Sequence, residues 1–244
     1  MDADPKPKPF QFRLVHLLIW TAVVAVALAL VTSAYRASRE ANHASTCGHN
    51  LRQFGIGLFN YHDVFKRFPP PHLDDPSDKP MHSWRVMVSA YVQSSAFPSQ
   101  YDYTEPWNGP NNSALLGPWE LFTCPSDRSS LPRMTNYVAV TGQGTAWPRE
   151  GSFHVGDGTK DTIVLVEISN SNIHWMEPRD LPIEELDDWL DPEHQPRLFG
   201  NHAQGGHVLF ADGRVERLSR DATIERLRAM AAEAGRHRES AEHD

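Results

Sequence analysis

At 244 residues the chain has room for one medium domain plus an anchor, or for two small domains. Its formal charge of −8 and its scattered basic residues exclude the concentrated cationic face that nucleic-acid binding requires, so no nucleic-acid partner is expected. The 40% hydrophobic share is ordinary in amount but uneven in place, and the two cysteines, Cys47 and Cys124, fit either one disulfide in an exported protein or two separate thiols.

Residues 1–13 are Pro-rich and read as a short cytoplasmic N-terminus. Residues 14–35 (LVHLLIWTAVVAVALALVTSAY) contain no charged side chain. As a helix they span about 33 Å, against a hydrocarbon core of about 30 Å, which predicts a transmembrane helix. The competing reading is a cleaved signal with a cut after Ser33 or Ala34, although such signals usually carry only about 7–15 apolar residues. Lys6, Lys8 and Arg13 precede the segment and Arg36, Arg39 and Arg52 follow it, so charge bias alone does not orient it. Everything able to fold lies after the anchor. The expectation is a single pass of the inner membrane, lipid as the first partner, and a C-terminal head on the periplasmic side.

Residues 36–68 read as an amphipathic stalk helix. Leu51, Phe54, Leu58, Tyr61 and Phe65 recur at spacings of three or four, while Asn50, Arg52, Gln53, Asn60 and His62 occupy the other positions. Gly55 and Gly57 each weaken a helix by about 1 kcal/mol, so packing must hold it, and Pro69, Pro70 and Pro71 end it. A head over 69–220 follows. SWRVMVSAYV (83–92) suits a short helix or a strand, and 106–118 reads as irregular with a turn at Asn108–Gly109. Strands are predicted over 136–141 and 162–168, and the acidic run 184–193 as an exposed insertion. A hairpin is predicted from His207 to Leu218, with Asp212–Gly213 as a type I′ turn and Phe210 facing Val215. A final helix, N-capped by Asp221 and stopped by Gly235, opens the tail 221–244.

Several stretches together resemble a known family. FQFRLVHLLIW (10–20) is similar to a degraded type IV prepilin start, its prepilin-like residues being Phe12, Leu14, Val15, His16, Leu17 and Leu18. CGHNLRQFGIGLFNYHDVFKRFPPP (47–71), SWRVMVSAYV, YDYTEPWNGPNNSALL (101–116), FTCPSD (122–127), TNYVAVTGQGTAWP (135–148), DGTKDTIVLVE (157–167) and WMEPRDL (175–181) resemble the planctomycete-type pseudopilin-like family called domain of unknown function 1559. Its C-terminal signature of His, nine residues and Asp-Gly is met by His202, Asp212 and Gly213 in NHAQGGHVLFADG. The resemblance implies an α+β, pilin-like fold: one long helix, first transmembrane and then amphipathic, packed on an antiparallel β head with long loops. It also implies a structural or type II secretion-like role, with homo-oligomers or other pseudopilin-like subunits as partners. Two positions depart from the prepilin pattern. Gln11 stands where the peptidase expects Gly, and His16 where pilins carry a glutamate, so an unprocessed N-terminus is expected.

The candidate chemistry is sparse. A Cys47–Cys124 bridge is expected, since both residues lie in the exported part; it would restrain the unfolded chain by about 4–5 kcal/mol in the loop-entropy model and tie the stalk to the head. His202, His207 and Asp212 are weak metal candidates, since a site needs about four converging ligands, and His202 is read first as a loop-pinning residue. Asp157, Gly158, Thr159, Asp161 and Thr162, or the acidic run from Glu184 to Asp191, could offer oxygens to calcium. Glu167, Glu177, Arg179 and Asp180 could form an ion-paired cluster. No nucleophile elbow, phosphate loop or dinucleotide fingerprint occurs, so no catalytic residue is expected and the chain reads as a non-enzyme. Two alternatives stay open: a glycan-binding module using Trp107, Trp119, Trp147 and Trp175, and a metal-dependent hydrolase using His202, His207 and Asp212.

Overall fold

The structure is a computed structural model that describes residues 14–92, 100–115, 120–127, 133–148, 160–191, 193, 197–199, 202–219 and 224–232. Helix α1 runs without interruption from Leu14 to Phe65. The chain divides into two compact units, Met1–Asn42 and His43–Asp244.

In the first unit α1 is long and apolar enough to cross a membrane, and none of its most apolar window is buried. Leu14, Leu30, Val31 and Tyr35 are each about two-thirds exposed. The hydroxyls in this apolar stretch are satisfied within the helix. Thr21 donates to the Leu18 carbonyl, Thr32 to those of Leu28 and Ala29, and Ser33 to that of Leu30. Such back-bonding to a carbonyl three or four residues earlier satisfies the hydroxyls without any partner outside the helix.

In the second unit the remainder of α1 becomes a core element. Leu51, Phe54, Leu58 and Tyr61 are buried as their spacing predicts, while Phe65 is half exposed. Asn50, expected on the polar face, is buried instead. Its amide donates to the carbonyls of Glu120 and Thr123 and to the Tyr137 hydroxyl. The glycines mark close approaches. A Cβ on Gly57 would stand 2.6 Å from Val88 Cγ1, and one on Gly48 or Gly55 would press on His207 or Leu209. Lys66 turns left-handed (φ 59°) and ends the helix just before the prolines.

A small hairpin, β1 (His72–Asp74) with β2 (Pro80–Ser83), leads into α2 (Trp84–Ser89). Every α2 side chain is buried, so 83–92 contributes a helix, not a strand. The segment expected to be irregular holds a short helix, α3 (Pro110–Ala114), with Gly109 as its N-cap at φ −65°. Asn112 is its buried anchor, with its amide nitrogen donating to the carbonyls of Asp102, Glu105 and Pro106.

Among the described residues six strands form the main sheet: β3 (Tyr137–Thr141), β4 (Ile163–Ser169), β5 (Leu181–Pro182), β6 (Arg197–Leu198), β7 (Gly206–Phe210) and β8 (Val215–Leu218). The order is β5-β3-β4-β7-β8, with β6 also paired to β4; only the β3–β5 pairing is parallel. Period-two alternation sends Tyr137, Ala139, Leu165 and Leu209 to the face packed by α1 and α2. Val138, Val140, Val166, Ile168, Val208 and Phe210 go to the opposite face with Leu186 and Trp189 of α4 (Leu186–Leu190) and Leu227 of α5 (Ile224–Ala231). Coverage on both faces explains why β3, β4 and β7 carry apolar side chains on both faces.

Two further expectations change. The acidic run is not an exposed insertion: Ile183–Glu185 forms a 3-10 turn into α4, which buries Leu186 and Trp189 and leaves Glu184, Glu185, Asp187 and Asp188 outside. The β7–β8 turn is one residue longer than a type I′ turn. Leu209, not Phe210, pairs with Val215; the Gly213 amide donates to the Phe210 carbonyl, and Gly213 alone in the turn has positive φ (+85°). This is the three-residue loop that closes on a glycine bulge. Asp221 and Gly235 lie outside the described residues, as do Gln11, Phe12 and the 157–159 part of the calcium candidate.

Candidate functional site

The alternation that fills the α1 face with apolar side chains is broken at two neighbouring positions. Glu167 ends the inward series on β4, and His207 begins it on β7. Cys47 comes from α1, one residue before the Gly48 that leaves room for the His207 ring. Cys124 follows the 3-10 turn Glu120–Phe122. Its amide donates to Asn136 Oδ1 (2.7 Å), and the Asn136 amide group donates to Asp127 and to the Ile168 carbonyl, fixing this loop to the end of β4. His202 enters ahead of β7, its carbonyl accepting from Gly205, whose left-handed φ of +109° and contact with β8 leave no space for a side chain.

Four of these groups meet at one point. Cys47 Sγ, Cys124 Sγ, a Glu167 oxygen and a His202 ring nitrogen all lie within 4.8 Å of one another, and all four residues are buried. The sulfurs are 2.8 Å apart, and both cysteines are free thiols. His202 Nε2 stands 3.4 Å from each sulfur and 3.1 Å from Glu167 Oε1. The other carboxylate oxygen, Oε2, accepts from the His207 backbone amide (3.0 Å) and contacts its Nδ1 (2.9 Å). Burial alone would raise the Glu167 carboxyl, but hydrogen bonds from His202 and His207 outweigh it and hold the group well below the ordinary carboxylate range. The Cys124 thiol is pushed up, first by its hydrogen bond with Cys47 and then by burial.

The sequence-derived candidates separate in space. The structure brings the Cys47 and Cys124 sulfurs together and shows their proximity, not a bond between them. His202 and His207 share the cluster, but Asp212 does not. It is exposed in the β7–β8 turn, where Oδ1 accepts the Arg214 amide. Glu167, assigned by sequence to a different ion-paired group, takes the place expected of Asp212. Asp161, a calcium candidate, pairs with Arg214 (2.9 Å). Trp147 and Trp175 are core residues at 1% exposure, and Trp107 stacks on His174. Trp119 is outside the described residues. Leu14, Val15, His16, Leu17 and Leu18 form the exposed first turns of α1.

A second buried polar group went unrecognised in the sequence. Arg85 of α2 is fully buried and pairs with Asp180 at 2.5 Å. Its other donors reach the carbonyls of Tyr137, Glu177 and Arg179, and Asp180 also accepts from Trp84 Nε1 and the Ala139 amide. Glu177 and Arg179, expected in the same cluster, pair with each other at 2.7 Å. The signal available was a lone arginine inside the otherwise apolar WRVMV.

These features define an α+β protein with a long N-terminal helix, a two-faced mixed sheet and a buried Cys-Cys-Glu-His cluster where the second half of that helix meets the sheet. The chain belongs to the family described as protein of unknown function (DUF1559), whose model matches residues 36–163. Cys47 and Cys124 fall within the matched residues; Glu167, His202, the Asp212–Gly213 signature and the prepilin-like start fall outside them. No curated protein and no solved structure matches the chain.

Proposed function

We propose that this protein is a single-pass, membrane-anchored, pseudopilin-like component of the cell envelope, structural or secretion-associated and non-catalytic. The observation that carries the reading is the two-part character of α1. Residues 14–35 are uncharged and wholly exposed, whereas Cys47, Leu51, Phe54 and Leu58 further along the same helix are at 0–1% exposure. A water-facing apolar surface of that extent far exceeds what soluble monomers tolerate, and lipid is the solvent that accepts it. Self-satisfied Thr21, Thr32 and Ser33 hydroxyls support the same environment.

In this reading the folded head, which follows the anchor in the chain, stands on the periplasmic side of the inner membrane. His16 in place of the pilin glutamate favours an unprocessed chain that stays a membrane-anchored monomer or associates only weakly with itself or with other pseudopilin-like subunits. Membrane fractionation followed by alkaline extraction tests the anchor, and protease treatment of spheroplasts tests the orientation. The full-length chain should stay in the pellet and lose its head to external protease. Recovery of the intact chain in the soluble fraction would overturn the reading.

A further inference from the structure

We propose that Cys47, Cys124, Glu167 and His202 bind one tetrahedral divalent transition-metal ion, zinc being the first candidate, which fastens the second half of α1 to the sheet. Two thiolates, one imidazole and one carboxylate complete the four-coordinate shell of a closed structural site, and this donor set suits zinc better than calcium or magnesium.

Geometry supports the assignment in three ways. First, a tetrahedron with metal–sulfur bonds of about 2.3 Å and metal–nitrogen or –oxygen bonds of about 2.0–2.2 Å has sulfur–nitrogen edges of about 3.5 Å and nitrogen–oxygen edges of about 3.4 Å. The corresponding separations are 3.4 Å, twice, and 3.1 Å. Second, the carboxylate oxygen that does not face His202 is held by the His207 amide and ring, the outer support that ligating carboxylates need. Third, the four donors come from four separate places in the chain: α1, the loop after residue 122, β4 and the segment before β7. A bound ion would therefore join segments that the sheet alone does not bind together. Binding exchanges two S–H bonds for two metal–sulfur bonds and releases both thiol protons to water; the His202 hydrogen shared with Glu167 passes from Nε2 to Nδ1, so that Nε2 can ligate, and no electron is transferred. It also moves the sulfurs apart, from 2.8 Å to the roughly 3.8 Å edge of a two-thiolate tetrahedral site.

The rival use of the same cysteines is a disulfide, which would leave neither thiolate for a metal, so one preparation can decide. The full-length chain is extracted in detergent without reductant or chelator. Its metal content is measured, and its mass is recorded after denaturation in chelator and alkylation without reductant. One zinc per chain with two alkylated cysteines is the expected result. A chain two hydrogens light, without alkylation, is a disulfide and overturns the proposal; so do free thiols that take up neither added zinc nor added cobalt(II).

Cobalt(II) loading of the unaltered chain should give thiolate-to-cobalt charge-transfer bands and the intense visible bands of tetrahedral coordination, a readout that does not depend on any variant folding. His207→Asn, which leaves all four ligands in place, should weaken zinc about 10–100-fold. Unchanged affinity in that variant would remove the assigned outer support and overturn the arrangement.

Discussion

Two of the buried polar groups of the head, the Arg85–Asp180 pair and the cluster at Glu167, are built differently. The Arg85–Asp180 pair is closed: a guanidinium meets one carboxylate and three carbonyls, and the carboxylate gains an indole and a backbone amide besides. The cluster at Glu167 instead aims two sulfurs, an oxygen and a ring nitrogen at one another. A buried charge is tolerated when its partners are complete, which accounts for the first group as a purely structural brace. Ligand-type atoms converging on a common centre call for something between them, and the second group has that form.

Removing one partner separates the two most sharply. Asp180→Ala leaves the Arg85 charge buried and unpaired, and should destabilise the head by about 3–5 kcal/mol. Neither added zinc nor chelator should alter that loss, since Asp180 is not one of the four converging residues Cys47, Cys124, Glu167 and His202. A melting temperature within a degree or two of the parent would show that the pair is not the brace described. Glu167→Gln is milder, at about 1–3 kcal/mol, because it keeps shape and volume while replacing one of the two oxygens that face His202 and His207 with an NH2 donor and removing the charge. Here the penalty should depend on metal, falling when parent and variant are compared in chelator. An identical penalty with and without chelator would make the two groups alike.

Much of the frame was legible in the residues. Uncharged length gave the first part of α1, the Leu51-Phe54-Leu58-Tyr61 spacing gave its buried stripe, and β-branched runs located β3 and β4. The Cys47–Cys124 pairing was also within reach, whereas His202 was singled out with His207 and Asp212 and not beside the two sulfurs. Glu167 was not within reach, because membership in the cluster depends on which face of β4 it occupies and on the β4–β7 register, and both are set by pairing between distant segments. Asp212 misled for the reverse reason: its sequence distance from His202 fits a ligand set, but the glycine-bulge turn carries it into solvent. The acidic run misled through composition, since Leu186 and Trp189, three positions apart, bury one face of a helix that its carboxylates disguise.

A smaller effect reaches the cluster through its loop. Asn136 accepts the Cys124 amide while donating to Asp127 and the Ile168 carbonyl. Asn136→Ala should cost about 1–3 kcal/mol through the buried groups it leaves unmade. It should also loosen Cys124, seen as faster alkylation of that thiol than of Cys47 in the folded chain. The Arg85–Asp180 side offers no equivalent change, so equal acceleration at both cysteines would mean general unfolding instead of a local release.

The least disruptive test uses a buried histidine that belongs to neither group. His82 is 3% exposed, with Nδ1 2.7 Å from the Tyr101 hydroxyl and Nε2 3.1 Å from the Tyr103 carbonyl. A carbonyl can only accept, so Nε2 carries the proton and Nδ1 receives the hydroxyl hydrogen, an arrangement available only to the neutral ring. Burial lowers its pKa from the ordinary 6.5, against smaller opposing effects from the Tyr103 carbonyl and the Asp102 charge. The folded protein therefore holds fewer protons here than the unfolded chain. Its contribution is fully present above about pH 6.5 and is lost as the pH falls through the depressed folded value. His82→Gln, which cannot titrate, should flatten that part of the stability profile relative to the parent without changing metal content. A profile between pH 7 and pH 5 that is as steep in the variant as in the parent would assign the loss to another group. A variant that also lost metal would show that the cluster senses packing well beyond its own four ligands.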